Sequence, residues 1–317
     1  MKSQTILKLK PIFKDKIWGG SKLSHLYHQP QLGDKVGECW LISAHSEGDC
    51  LIEGGPFDGI SLNELFKSHK ELFANDERNE FPLLIKFIDA SSDLSVQVHP
   101  NDDYERKHGR AYGKEETWLI LEPSMDHTVQ LGHTAKTKEE LKSLIEANKW
   151  SQLLKYQPID RNYLIPVIPG TLHAIKGGTF LLEIQQSSDT TFRVYDYNRL
   201  DEKGNARPLH LKEAIEVTSI PDKSLTPKKI TFSRNDRQVI WTGNYFAIEE
   251  WNVESSFAPI LEKNQYYAAI IIEGKGKIGK LAVATGDAII ITSGTTNMAI
   301  EGNMRIIVSY PFLGKAI

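Results

Sequence analysis

The chain predicts a mainly β protein of the jelly-roll type with a few inserted helices. Three observations predict it. Short apolar runs rich in β-branched and aromatic residues recur at 81–88, 94–98, 117–121, 163–168, 179–184, 268–272 and 288–291, a length and composition that favour strands over helices. Gly, Pro, Asn and Asp separate these runs. Strand and helix patterns do not alternate regularly, so an antiparallel sandwich or barrel is expected in place of a doubly wound sheet.

The elements follow in chain order. Residues 1–18 carry several lysines but no continuous apolar core ahead of a small-residue cleavage site, so no secretory leader is expected. Ser61 stands three residues before Glu64, and Thr137 three before Glu140; this is capping-box spacing, and it predicts helices over 61–73 and 137–155. After Thr137, Leu141, Leu144 and Ile145, with Leu153 and Leu154 beyond, supply the apolar stripe of the second helix. A polar, proline-bearing stretch at 220–229 suggests a boundary, giving units 1–228 and 229–317. The second unit reads as another β domain, a distant structural duplication of the first.

Bulk properties narrow the function. With 317 residues, 40% hydrophobic and 25% charged, the chain has the composition of an ordinary folded protein long enough for two domains, which argues against disorder and coiled coil. Lys and Arg number 38 against 41 Asp and Glu, a formal charge of −3, without the cationic excess that would draw it to nucleic acid or to anionic membrane. No run reaches 18 apolar residues, so no membrane span is expected. Cys39 and Cys50 have no CxxC spacing, so a disulfide framework and a thiolate zinc site lack support, and reduced thiols in the cytoplasm are the economical expectation.

Chemistry concentrates in four segments. Side chains alternate along a strand, so Gln97 and His99 share one face, and Lys114, Glu116 and Trp118 share another. Pro169-Gly170-Thr171-Leu172-His173 is a tight turn that delivers a histidine at a strand edge. Two imidazoles, one carboxylate and one amide suit zinc or another divalent first-row metal, with a coordination position open for water or substrate. A lone histidine is more often a satisfied core or surface residue; the combination carries the inference. The stretch 182–197 is too polar for a core strand, so its polar face should line solvent or a site. Within it, Arg193 could clamp phosphate or an oxyanion, or could pair with Asp189 four residues away. Trp18, Trp40 and Trp118 could be core aromatics or sugar-stacking platforms.

Gln97-Val98-His99-Pro100, Gly113-Lys114-Glu115-Glu116-Thr117-Trp118, Pro169-Gly170-Thr171-Leu172-His173-Ala174 and Glu183 through Tyr197, preceded by Ile17-Trp18-Gly19-Gly20 and Gly37-Glu38-Cys39-Trp40, resemble the successive signatures of the type I mannose-6-phosphate isomerases, in their short bacterial form. The resemblance spans roughly residues 1–200. It implies a cupin fold, in which a zinc-dependent catalytic jelly-roll barrel is followed by a second, ligand-free barrel. It also implies interconversion of mannose 6-phosphate and fructose 6-phosphate, a sugar phosphate as the only partner, and a monomer or weak homodimer. Residue by residue, it assigns one Zn2+ per chain to His99, Glu116 and His173, with Gln97 as a further ligand in many members. Arg193 falls at the family's catalytic arginine, and Lys86 and Lys114 fall where lysines face the substrate. Trp18, Glu38 and Asp189 join them as expected substrate contacts.

Two positions depart from the family pattern. Pro169 directly abuts Gly170, without the usual small residue between them. Glu115 precedes Glu116 where a neutral residue is commoner, leaving two carboxylates as candidate ligands, of which strand parity favours Glu116. The reaction moves a proton between C1 and C2 through an enediolate, and Glu38, Lys114, Asp189 and a metal-bound water are alternative carriers. A non-catalytic cupin that senses a phosphorylated sugar is the competing reading. The lysines and Arg193 disfavour a third, an iron-dependent oxygenase with an apolar substrate.

Overall fold

A computed structural model describes residues 6–201, 203–232 and 234–313; the outer ends of both expected units, 1–5 and 314–317, lie outside the described residues. The fold is mainly β, as expected, and is built from three large antiparallel sheets. The first has seven strands in the order Lys228–Lys229, Tyr163–Val167, Glu116–Glu122, Phe180–Gln186, Leu83–Asp89, Val36–Ile42 and Ile12–Gly20. The second has five, in the order Leu154–Pro158, Thr128–His133, His173–Ala174, Val96–Val98 and Phe192–Tyr195. The third has eight, mostly from the C-terminal part: Asp236–Thr242, Phe246–Phe257, Ile300–Pro311, Tyr267–Ile278 and Ala288–Ile291 in order, with Leu281–Ala284 alongside Tyr267–Ile278. The N-terminal strand Ile6–Leu9 and the short Ile52–Glu53 complete it.

Strand periodicity explains how the layers stack. In the seven-stranded sheet, Ile85, Phe87, Leu119, Leu164, Leu182 and Ile184 point to one face, where they share a core with Ile248, Ile270, Ile290 and Ile307 of the eight-stranded sheet. Ile88, Trp118, Ile120, Ile165 and Leu181 point to the other face and pack on Val129 and Leu131 of the five-stranded sheet. Covered on both faces, the middle sheet has little use for the polar alternation of a half-exposed sheet, which is why 81–88 reads as a nearly unbroken apolar run. Behind the five-stranded sheet, Val96, Val98, Leu172 and Val194 meet Leu141, Ile145 and Ala214 of flanking helices.

The capping signals hold at both predicted helix starts. The Ser61 hydroxyl accepts from the Glu64 amide at 3.2 Å and opens Leu62–Ser68, which continues as the 3-10 turn Lys70–Phe73. Thr137 accepts from the Glu140 amide at 3.1 Å and opens Lys138–Glu146. The single helix expected over 137–155 is divided. Asn148 takes a left-handed φ of 52°, a conformation Asn tolerates at helix ends. A short helix, Trp150–Leu153, follows, and the chain from Leu154 is drawn into a strand by pairing with Thr128–His133. Among the described residues, no helix is long and apolar enough to cross a membrane.

The doubly covered middle sheet should dominate stability. Ile184 is fully buried in the core shared by the seven- and eight-stranded sheets. Ile184→Ala is expected to lower the unfolding free energy by about 2–5 kcal/mol through lost burial and a residual cavity, read as a reduced urea midpoint at unchanged slope.

Candidate metal centre and active site

Three strands of the five-stranded sheet place Gln97 directly opposite both His173 and Arg193, so all three side chains leave the same face. His99 follows one residue beyond Val96–Val98 on that face. Across the sandwich, Glu116 opens the strand Glu116–Glu122, and the register sets Trp118 opposite Glu183 and Glu183 opposite Lys86. The two faces meet at His99, Glu116 and His173, whose potential ligand atoms all lie within 4.8 Å of one another.

The geometry suits a cation. Nε2 of His99 and Nε2 of His173 each stand 3.4 Å from a different oxygen of Glu116. The opposite ring nitrogens are occupied: each Nδ1 lies 2.9 Å from a backbone carbonyl, Thr190 for His99 and Thr171 for His173. Donation from Nδ1–H to those carbonyls leaves both Nε2 lone pairs turned inward, the hydrogen bonding that orients metal-binding histidines. All three residues are buried, and the close charged partner of Glu116 is Lys114, whose ammonium stands 3.1 Å from Oε2. A buried carboxylate is costly unless a positive charge completes it. Two imidazoles and a carboxylate therefore fit a divalent first-row metal. Gln97 borders the cluster, its Nε2 lying 3.4 Å from Nε2 of His173.

Electrostatics keep the cluster in its ligating form. Burial alone would raise the Glu116 carboxyl, but the Lys114 ammonium, 3.1 Å away, helps to hold it down at about 2. Burial, reinforced by the same ammonium, drives His99 well below the usual histidine value, and burial lowers His173 as well. Lys114 also lies 3.1 Å from Nε2 of His99. Neutral imidazoles and an ionised carboxylate are the protonation states metal binding requires.

Beside the cluster opens a cavity of about 280 Å³, lined by Trp18, Glu38, Lys86, Gln97, Lys114, Glu116, Asp189 and Arg193 among others, with Glu116 as the cluster residue on its wall. Every expected site residue is thus brought to the cavity or to the cluster on its wall. Lys86 lies 3.1 Å from Glu183 and 4.0 Å from Glu38; burial opposes its charge, but the two carboxylates hold its ammonium above the ordinary lysine value. Glu38 accepts from the Trp40 indole at 2.7 Å and pairs with Lys16 at 3.2 Å; Lys86 and Lys16 overcome its burial and lower its pKa. Arg193 does not take up the surface-pair alternative: its hydrogen bonds run to Ser95 at 3.3 Å and to the Pro208 carbonyl at 2.9 Å. Of the three tryptophans considered for stacking, Trp18 and Trp118 line the cavity, while Trp40 reaches it only through its indole bond to Glu38.

Sequence reasoning assigned no role to Glu183, Lys16, Ser95 or Arg207, which also line the cavity. Glu183 carried a signal in its two-residue spacing from Gln185, but its partnership with Lys86 depends on strand register. Arg207 lies outside any regular element and carried none. Its guanidinium is held by Asp196 through bonds of 2.7 and 2.6 Å.

A buried His–Glu–His cluster that could hold a metal ion, at the wall of a cavity lined by charged side chains between two β-sheets, is the site of a β-sandwich protein with a candidate metal centre. Residues 6–116 match the family model described as phosphomannose isomerase type I, catalytic domain, and residues 237–311 match that of the mannose-6-phosphate isomerase cupin domain. The chain is 38% identical over 312 residues to a probable mannose-6-phosphate isomerase of Bacillus subtilis, GmuF, covering 96% of this chain and 99% of that one. It is 35% identical over 300 residues to the mannose-6-phosphate isomerase of Streptococcus mutans, at 93% and 95% coverage. The crystal structure of a mannose 6-phosphate isomerase from B. subtilis matches with a TM-score of 0.90 at 34% identity, covering 96% of this chain and 99% of that one. The chain belongs to the type I phosphomannose isomerase family.

Two measurements test the site. His99→Ala and His173→Ala should each weaken any divalent-metal binding by at least about 10-fold, read by competition with a chromophoric chelator. The second concerns the brace around Arg207. Burial would raise the Asp196 carboxyl, but hydrogen bonds from Arg207 and Arg199 lower it below its ordinary 3.8. A depressed folded pKa means that Asp196 contributes stability above the unfolded value and loses it as pH falls through the folded one. Thermal melts of Asp196→Asn should therefore start lower at neutral pH and fall less steeply below about pH 4 than those of the parent.

Proposed function

We propose that the chain interconverts D-mannose 6-phosphate and D-fructose 6-phosphate with one divalent cation held by His99, Glu116 and His173, and that Gln97 adjoins it as a further ligand. The donor set suits zinc. The observation that carries this reading is that Glu116 of the His99–Glu116–His173 cluster lines a cavity to which Lys16, Lys86, Lys114, Arg193 and Arg207 also come. When bound, the cation supplies Lewis-acid polarisation of the sugar oxygens.

The protein's own residues do the rest. Arg193, anchored by Ser95 and Pro208, presents a fixed positive charge to the oxyanion of the enediolate. Arg207, locked on Asp196, and Lys16 offer cationic contacts to the phosphate, and that binding energy orients the reacting carbons. Lys86, braced by Glu183 and Glu38, holds the cavity floor and faces the sugar hydroxyls. Trp18 and Trp118 supply apolar walls. Glu38, Lys114 and Asp189 face the cavity as groups able to carry the proton between C1 and C2.

In the same reading, residues 1–228 form the catalytic jelly roll from the seven- and five-stranded sheets. Residues 229–317 form a ligand-free, cupin-like partner to which Ile6–Leu9 lends a strand. Both thiols are buried, which pushes Cys39 and Cys50 up to about 12 and suits a reducing cytoplasm.

A coupled assay tests the activity. Isomerisation should appear with metal-loaded protein, disappear on chelation and return when zinc is added. Metal-loaded protein that binds mannose 6-phosphate without turnover would instead support a sensor. Arg193→Ala should lower kcat by about 10²–10³, the scale of a lost oxyanion contact, with zinc content unchanged; loss of the metal would contradict this role.

A further inference from the structure

The carboxylate of Glu115 takes no part in the chemistry above. Glu115 is 1% exposed and directly precedes Glu116, so strand alternation turns it away from the cluster. It reaches the turn between Asp236–Thr242 and Phe246–Phe257 of the eight-stranded sheet. There the Asn244 amide nitrogen donates to Oε1 at 2.9 Å, and the Asn244 side chain donates to Oε2 at 2.8 Å. The turn is built for this approach: a Cβ on Gly243 would stand 2.1 Å from Oε1 of Glu115 and 2.9 Å from the Trp241 indole nitrogen.

The same turn brings the Tyr245 phenol near Asp102, whose Oδ1 accepts from the Gly113 amide at 2.7 Å and from Gln186 Nε2 at 3.0 Å. Gln186 closes the loop by accepting from the Glu115 amide at 2.9 Å. Gly113 lies so close to the backbone of Asn101 and Asp102 that a Cβ would stand 2.5 Å from it, and the Lys114 amide donates to the Pro100 carbonyl at 3.0 Å. Residues 243–245 thereby hold 113–116 through Glu115, and 113–116 is tied in turn to 100–102; these two segments carry or adjoin His99, Lys114 and Glu116.

We infer that Asn244, acting through Glu115, is a positioning residue of the metal centre, by which the C-terminal sheet sets where Glu116 and Lys114 stand relative to His99. This rests on reading the cluster as the metal site of an isomerase. The physical ground is the pair of bonds that Asn244 makes to the buried Glu115 carboxylate: setting a like charge in place of that donor drives the Glu115 side chain to move. Any such movement displaces the adjoining Glu116, and errors of about 1 Å in a metal or catalytic geometry are felt strongly.

Asn244→Asp sets a second carboxylate against Glu115, 129 residues away in sequence. It should weaken zinc affinity of the full-length protein about 10-fold and lower kcat more than it changes KM. Glu115→Gln combined with Asn244→Asp exchanges donor and acceptor across the contact and should restore both. Unchanged zinc affinity and kcat in Asn244→Asp, whatever its melting temperature, would overturn the inference by reducing the contact to a structural one. Should Asn244→Asp fail to fold, Asn244→Ala is judged on zinc affinity by the same criterion. A zinc shift in a protein whose parent shows no isomerisation would retain the positioning role and remove the isomerase reading.

Discussion

Glu116 is buried, with an inward-facing imidazole nitrogen 3.4 Å from each of its oxygens and the Lys114 ammonium 3.1 Å from Oε2. An anion in that position is tolerable only where positive charge surrounds it. Much of the surrounding architecture follows from this requirement. Carbonyls of Thr190 and Thr171 hold the two rings in the tautomer that presents lone pairs, and Lys114 stands between Glu116 and His99. The cluster is a carboxylate between two inward-facing imidazole nitrogens, a donor set that suits a divalent cation.

The sandwich serves this centre by being rigid on both sides. The seven-stranded sheet is clamped between two apolar cores, so Glu116, Lys86 and Glu183 project from a layer that cannot easily shift. The five-stranded sheet is backed by helices and contributes His173, Gln97 and Arg193 from adjacent strands in direct register. Opposed sheets provide what neighbouring residues on one strand cannot, side chains converging from two directions on a common volume. The cavity between them alternates charge, with Lys86 between Glu38 and Glu183 and Arg207 on Asp196. Pairing of that kind holds long cationic side chains in place ahead of substrate.

Much of this could be read along the chain. Alternation in the segment around Gln97 and His99, and in the one around Lys114, Glu116 and Trp118, placed on shared faces residues that the fold brings together; parity favoured Glu116 over Glu115, and the structure turns Glu115 to Asn244. Capping boxes located both helix starts because a cap is a contact between residues three apart. The helix over 137–155 was overextended because its end depends on a left-handed Asn148 and on a strand pairing with Thr128–His133, neither visible in apolar spacing. Glu183 and Arg207 were passed over for the same kind of reason, since their partners Lys86 and Asp196 are set by register and loop path.

Local periodicity and short-range hydrogen bonds thus belong to the polypeptide as written: the β class, the helix starts, the faces of His99 and Glu116, and the residue types that suit a divalent metal. The convergence of those faces belongs to the fold alone. So do the crossing of Ile6–Leu9 into the C-terminal sheet, the bracing of Lys86, and the grip of Asn244 on Glu115. Each of these joins atoms distant in sequence, and their meeting is decided by which apolar faces are buried together, a property of the whole packed chain.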